Sequence, residues 1–217
     1  MFKRILSYLA GLIILAFGSA FAVTSDLGVS PMGALPYVGS LISQSDFLSV
    51  GVLSIIKFLI FIALQIIILR KNFRPFDLIQ IVFALIFGVI FDLAIWALAG
   101  LEFPLGYFGR MGMLVVSILL IAIGLVLLIS AKIIPLPPEA LCIAITKRWE
   151  RAKFHIVKMS LDSTLVLLAL ALSLIALDGV YGVREGTIIS ALAIGRIIPF
   201  VRKAMQPITK RIVNSDD

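Results

Sequence analysis

The sequence predicts an all-α fold: a polytopic membrane helix bundle of six transmembrane helices, arranged as two inverted three-helix repeats. Three observations lead there. Of the 217 residues, 61% are hydrophobic and 14% charged, with a mean hydropathy of +1.16, whereas soluble chains carry about 25% charged residues. The apolar runs are continuous and of about 20 residues, the length a spanning helix needs; a membrane barrel instead alternates over segments of about ten residues. The hydrophobic map also runs twice. Residues 11–35 (GLIILAFGSAFAVTSDLGVSPMGAL) return about 106 positions later as residues 117–141 (SILLIAIGLVLLISAKIIPLPPEAL). Ala16, Gly18, Pro31, Ala34 and Leu35 fall on Ala122, Gly124, Pro137, Ala140 and Leu141. Each copy holds an odd number of spans, so the copies run antiparallel, a pattern that points to a transport site at the interrupted helices.

The six spans are expected at about 5–24, 48–69, 78–99, 112–132, 156–177 and 186–203. They form a single membrane domain over 1–217, with repeat one at 1–100, repeat two at 111–203 and a tail at 204–217. Spans three and six match at an offset of 107, through Ala84, Leu85 and Gly88 against Ala191, Leu192 and Gly195; the middle spans align poorly. Lys3-Arg4, an apolar run and Ala20-Phe21-Ala22 also have the form of a secretory signal. That reading is set aside because span four copies the segment.

Charge orients the bundle. Fifteen Lys and Arg fall on one side, in the N-terminus, the loop around Arg70–Arg74, Lys132, the loop around Lys147–Lys158, and the C-terminus with Lys210 and Arg211; the other side has only Arg110 and Arg184. The positive-inside rule then places both termini in the cytoplasm. The net charge of +7 belongs to these flanks rather than to one patch, which favours the lipid bilayer as partner over nucleic acid. The single Cys142 allows no internal disulfide.

Two elements interrupt the helices. Asp26 to Leu35 (DLGVSPMGAL) breaks the chain after span one, and the apolar MGALPYVGSLIS that follows is too short to cross a bilayer. Residues 134–141 (IPLPPEAL) put three prolines within four residues after span four, a sequence that resists helix continuation. A half-helix N-terminus at such a break can face a solute with its amides and dipole; the plainer alternative is a capped interfacial helix. Glu139 suits the first turn of the next helix. Asp26 aligns with Lys132, so the two breaks carry opposite charge.

Four ionisable groups stand inside spans: Lys57, Asp92, Asp162 and Arg196. Each is a functional candidate because burying charge in the bilayer costs at least about 2.5–3.5 kcal/mol. Lys57 and Asp162 fall on roughly matching positions of the two copies, which makes a midplane pair an expectation; a structural ion pair is the alternative. Asp92 and Arg196 lie nearer span ends. His155 stands alone in the basic stretch KRWERAKFHIVK, with Trp149 and Phe154 as interfacial anchors. Gly18-xxx-Ala22 and Ala191-xxx-Gly195 are spacings for close helix contact. Neither a metal-ligand cluster nor a nucleophile or phosphate-loop motif is present, so the sequence predicts no enzyme and no cofactor.

DLGVSPMGAL after a glycine-containing first span, followed by GVREGTIISALAIGRII at 182–198, resembles the YczE/YyaS/YitT family of bacterial integral membrane proteins. Asp26, Leu27, Gly28, Ser30, Pro31, Ala34 and Leu35 match its D-L-G-x-S-P-x-x-A-L break. Glu185, Gly186, Thr187, Ala191, Leu192 and Gly195 match most of its G-x-G-T-x-x-x-A-L-x-x-G pattern, with Arg184 where the first glycine is expected. Met32 stands where members often have an aromatic residue, and LPPEAL where their second break is glycine-rich. The resemblance implies a six-span plasma-membrane protein and leaves the substrate open.

The function expected from these residues is a small secondary transporter or permease. Its solute is small and polar, anions included, and binds between the copies at Gly28, Ser30, Lys57, Asp162 and Thr187. The alternatives are a non-transporting membrane partner that supports the assembly or localisation of other proteins, and the substrate-binding subunit of an energy-coupled importer. Six short spans leave room for a homodimer.

Overall fold

The computed structural model describes residues 2–45, 47–100, 106–149, 151–207 and 209. Lys210, Arg211 and most of the expected tail lie outside them. Eight α-helices follow in order: α1 Phe2–Ser25, α2 Pro31–Ser43, α3 Val50–Leu69, α4 Gln80–Ala99, α5 Tyr107–Ala131, α6 Pro137–Arg148, α7 Phe154–Ala176 and α8 Glu185–Ala204. Two 3-10 turns, Arg70–Asn72 and Pro75–Ile79, join α3 to α4. Among the described residues five helical segments are long and apolar enough to cross a membrane, those built on α1, α3, α4, α5 and α7. Their outward faces are apolar too, with Ile67, Trp96 and Ile175 among the exposed side chains. A soluble chain rarely exposes contiguous surface of this kind. This is a membrane protein.

The sixth expected span coincides with α8, which has the length of 20 residues but carries Glu185, Arg196, Arg202 and Lys203. Those charges keep it outside the group of five. The expected start of span four also shifts, since α5 begins at Tyr107 rather than near 112, with Gly106 at its N-cap.

Both breaks are built the same way. Asp26, just past α1, and Lys132, at the C-cap of α5, take left-handed φ of 53° and 50°. Four positions later Ser30 has φ −59° and ψ 153°, and Leu136 has −61° and 155°. Pro31 and Pro137 then open α2 and α6, where a fixed φ and a missing amide cost nothing. The prolines thus start short helices as well as ending long ones. Each pair lies 106 residues apart.

At the centre α1 packs against α5. A Cβ on Gly18 would come within 2.8 Å of the Ile121 amide nitrogen, and one on Gly124 within 2.8 Å of that of Leu15. Leu15 and Ile121 are themselves 106 apart. Gly11 lies so close to the Gly124 carbonyl that a Cβ would sit 2.9 Å from it. Its counterpart Ser117 donates a 2.6 Å hydrogen bond to the Gly18 carbonyl. Around this pair α4 packs on α1 and α8 on α5, while α6 lies on α3 and α2 on α7.

The third helices differ. Gly51 of α3 and Gly88 of α4 bring their backbones into contact, and Asp92 of α4 caps α3. Its carboxylate accepts from the Ser49 hydroxyl at 2.5 Å and the Gly51 amide at 2.7 Å. Between α7 and α8 no comparable packing exists, and a Cβ on Gly195 would meet nothing within 4 Å.

Candidate functional site

The first break is closed. Gly28 takes φ +103°, and a Cβ there would lie 2.7 Å from both the Arg184 nitrogen and the Thr187 hydroxyl, so only glycine fits without strain. The Val29 amide donates to the Gly182 carbonyl at 3.0 Å, and the Gly186 amide to that of Leu27 at 2.7 Å. Thr187, 2% exposed, donates its hydroxyl proton to the Gly182 carbonyl and accepts from the Arg184 amide. Ser30 is half-buried at the N-cap of α2; its carbonyl accepts from the Gly33 and Ala34 amides, while its hydroxyl makes no capping bond.

Charge closes the break further. Asp26 pairs with Arg110 at 2.8 Å and with Arg184 at 3.6 Å, and the Arg184 guanidinium also donates to the Asp26 carbonyl. The two basic residues that stood apart in the charge count therefore converge on one carboxylate. Together they tie the end of α1 to the starts of α5 and α8.

The second break lies open. Lys132, in the place of Asp26, is exposed and makes no ion pair among the described residues. Beside it a cavity of about 410 Å³ opens between the end of α5, the connection 133–136, Glu139 and Ile143 of α6, and Phe154. Its lining is carbon apart from Lys132 and Glu139. One Glu139 oxygen, Oε2, is buried with no hydrogen-bond partner among the described residues.

Glu139 belongs to a wider set of titratable groups. Lys57 on α3, Lys158 and Asp162 on α7, and Tyr8 on α1 all interact with it electrostatically. Lys57 is 7% exposed and donates its ammonium to the Met32 carbonyl in the first turn of α2 at 2.5 Å, 4.7 Å from the centre of the Phe58 ring. Asp162 accepts from Lys158, one turn earlier, at 2.8 Å. The expected Lys57–Asp162 pair is thus replaced by two separate contacts. The reason is register. Buried Lys57, Phe61 and Gln65 of α3 match buried Leu165, Ala169 and Ser173 of α7 at an offset of 108. The left-handed residues Arg70 and Asp178, past the ends of the two helices, keep the same offset. Leu165, not Asp162, occupies the place of Lys57.

Asp92 serves as a helix cap, and Arg196 is exposed on α8. Two residues escaped the sequence reading. Gln65 and Gln80, 2% and 1% exposed, bond to each other at 3.3 Å, and Gln65 donates to the Pro137 carbonyl at 3.1 Å. Gln80 stands 107 positions before Thr187. The first break is thus held by the start of α8, and the second by Gln65 near the end of α3, itself bonded to Gln80 at the start of α4. Polar side chains inside or beside apolar runs are the signal that marks them.

The fold and these sites define an all-helical membrane protein with two short proline-started helices packed inside it. The chain belongs to a family of unknown function (DUF6198), whose profile matches residues 2–203; the match does not name the YczE/YyaS/YitT family that the first break and the start of α8 resemble. Comparison with curated proteins and with solved structures gave no match.

Proposed function

We propose that the protein is a small permease of the plasma membrane, with six spans in two inverted repeats and both termini cytoplasmic. It carries a small polar or charged solute past the two broken elements. One observation carries the reading: two breaks with the same backbone turn differ in closure, the first latched by Asp26, Arg110 and Arg184, the second open on a cavity. A carrier that exposes its site to one side at a time has this form when open towards its cytoplasmic face. The paired glycine contacts of α1 and α5 support a two-fold relation between the halves. The parallel course of α8 on α5 supports a sixth span: both begin near the first break, and 20 residues reach about 30 Å. Ionisable groups gathered where α2, α3, α6 and α7 meet supply the polar part of the path.

The test is a thermal-shift screen of the purified protein against small metabolites and ions, followed by uptake of any stabilising compound into proteoliposomes. Uptake by the native chain that Lys57→Met abolishes agrees with the reading. A stabilising compound that never crosses, with Lys57→Met indistinguishable from native, favours a non-transporting partner instead.

A further inference from the structure

We infer that the cavity at the second break binds an apolar organic cation, held at the Glu139 carboxylate. Where that carboxyl carries a proton, the proton leaves to water as the cation enters, so the charge of the site is unchanged. As the substrate class of the permease proposed above, this rests on that reading; binding alone does not require transport.

Four observations converge. Glu139 lines the cavity and keeps a buried oxygen without a partner. The cations that act on it are engaged elsewhere, Lys158 with Asp162 and Lys57 with the Met32 carbonyl. Tyr8 from α1 and Cys142 from α6 are the other titratable groups whose electrostatic field it shares. Lys132, the remaining charge on the cavity wall, is exposed to solvent at its edge. The rest of the wall is Leu125, Leu128, Ile129, Leu136, Ile143 and Phe154 with their neighbours.

A hard metal ion finds too little here, since calcium alone asks for six to eight oxygen ligands, and among the described residues no three acidic, His or Cys side chains gather. A cation with a diffuse charge and a hydrocarbon body loses little on leaving water and gains the apolar wall. The Phe154 ring adds a face suited to cations. The volume lies within the range of sites for drug-sized ligands, about 300–1,000 Å³. Glu139 sits in α6, which at twelve residues is too short to span. Burial raises its carboxyl above the ordinary carboxylate range, opposed first by the charge of Lys158. A cation bound at the carboxylate therefore competes with its proton.

The full chain in detergent micelles, titrated with tetraphenylphosphonium by equilibrium dialysis, tests this. Saturable binding is expected, with proton release in weak buffer and an affinity that rises up to about tenfold per pH unit while the carboxyl is protonated. Glu139→Gln should weaken binding at least about tenfold, Glu139→Asp less, and Lys132→Gln should not weaken it. Tetraphenylborate, the same shape with the opposite charge, should bind far more weakly when titrated alone. Native-like affinity in Glu139→Gln overturns the inference. If that variant does not fold, binding by the native chain without proton release while the carboxyl is protonated overturns it equally. Tighter binding of tetraphenylborate also overturns it and makes Lys132 the anchor of an anionic, lipid-like occupant. Binding without uptake into proteoliposomes would refute transport and leave the site standing, whereas uptake of another solute without binding would do the reverse.

Discussion

Helices α3 and α4 close against each other through Gly51 and Gly88, while α7 and α8, at matching positions of the chain, stand apart around an uncovered Gly195. The breaks differ too, one held by an ion-pair cluster and the other beside a cavity. Similar sequences 106 to 108 residues apart have thus folded into similar backbones with unequal packing. The backbone turns depend on local chemistry that both copies share, such as proline at the first helical position. Closure depends on side chains that they do not share. Asp26 attracts two guanidinium groups; Lys132 in its place offers them nothing.

The central contact gives the largest expected effect. Gly18→Leu or Gly124→Leu must push α1 and α5 apart, because even a Cβ already lies within 2.8 Å of the opposing backbone. Overpacking of this sort commonly costs about 1–3 kcal/mol and more where backbone is struck. Size-exclusion chromatography of either variant should show little or no monodisperse protein. A native profile would show that the two helices do not cross at these glycines.

A matched pair sharpens the comparison of the third helices. Gly88→Leu should lower the melting temperature markedly, since Ile55 and the Gly51 carbonyl already crowd that site, whereas Gly195→Leu should leave it nearly unchanged. Equal losses from the two would mean that α7 and α8 pack as closely as α3 and α4.

Smaller effects are expected at the polar pins. Gln65→Leu leaves the Gln80 amide and the Pro137 carbonyl without their partner, a loss of about 1–3 kcal/mol readable as a lower denaturation midpoint. Smallest of all is Asp26→Asn, because its pairs are exposed and such pairs contribute about 0–1 kcal/mol. Its melting temperature should barely move. Lys132→Gln, which removes no pair, should not move it at all.

Much of this was legible in the chain. The prolines and the 106-residue offset marked both breaks, because proline acts through local backbone geometry. At the offset of 107 read for the last helices, Gln80 falls against Thr187, each buried at the start of a long helix. What the sequence could not show was partnership. Arg110 and Arg184 looked like exceptions to a charge rule until the fold brought both to Asp26. Lys57 and Asp162 seemed matched because apolar helices align at many registers, and only burial separated offset 108 from its neighbours. Gln65 and Gln80 meet across helices that a loop of unpredictable course connects.

The central claim is that the first break is sealed while the second is open, and labelling tests it most directly. Val29 is 2% exposed, whereas Pro135, 106 positions later, is exposed. With the buried Cys142 replaced by alanine, Val29→Cys and Pro135→Cys can be treated with a membrane-impermeant maleimide in vesicles of each orientation. Pro135→Cys should react quickly from the cytoplasmic side, and Val29→Cys should stay protected from both sides. Equal reactivity at the two positions, or faster labelling at Val29→Cys, would contradict the account.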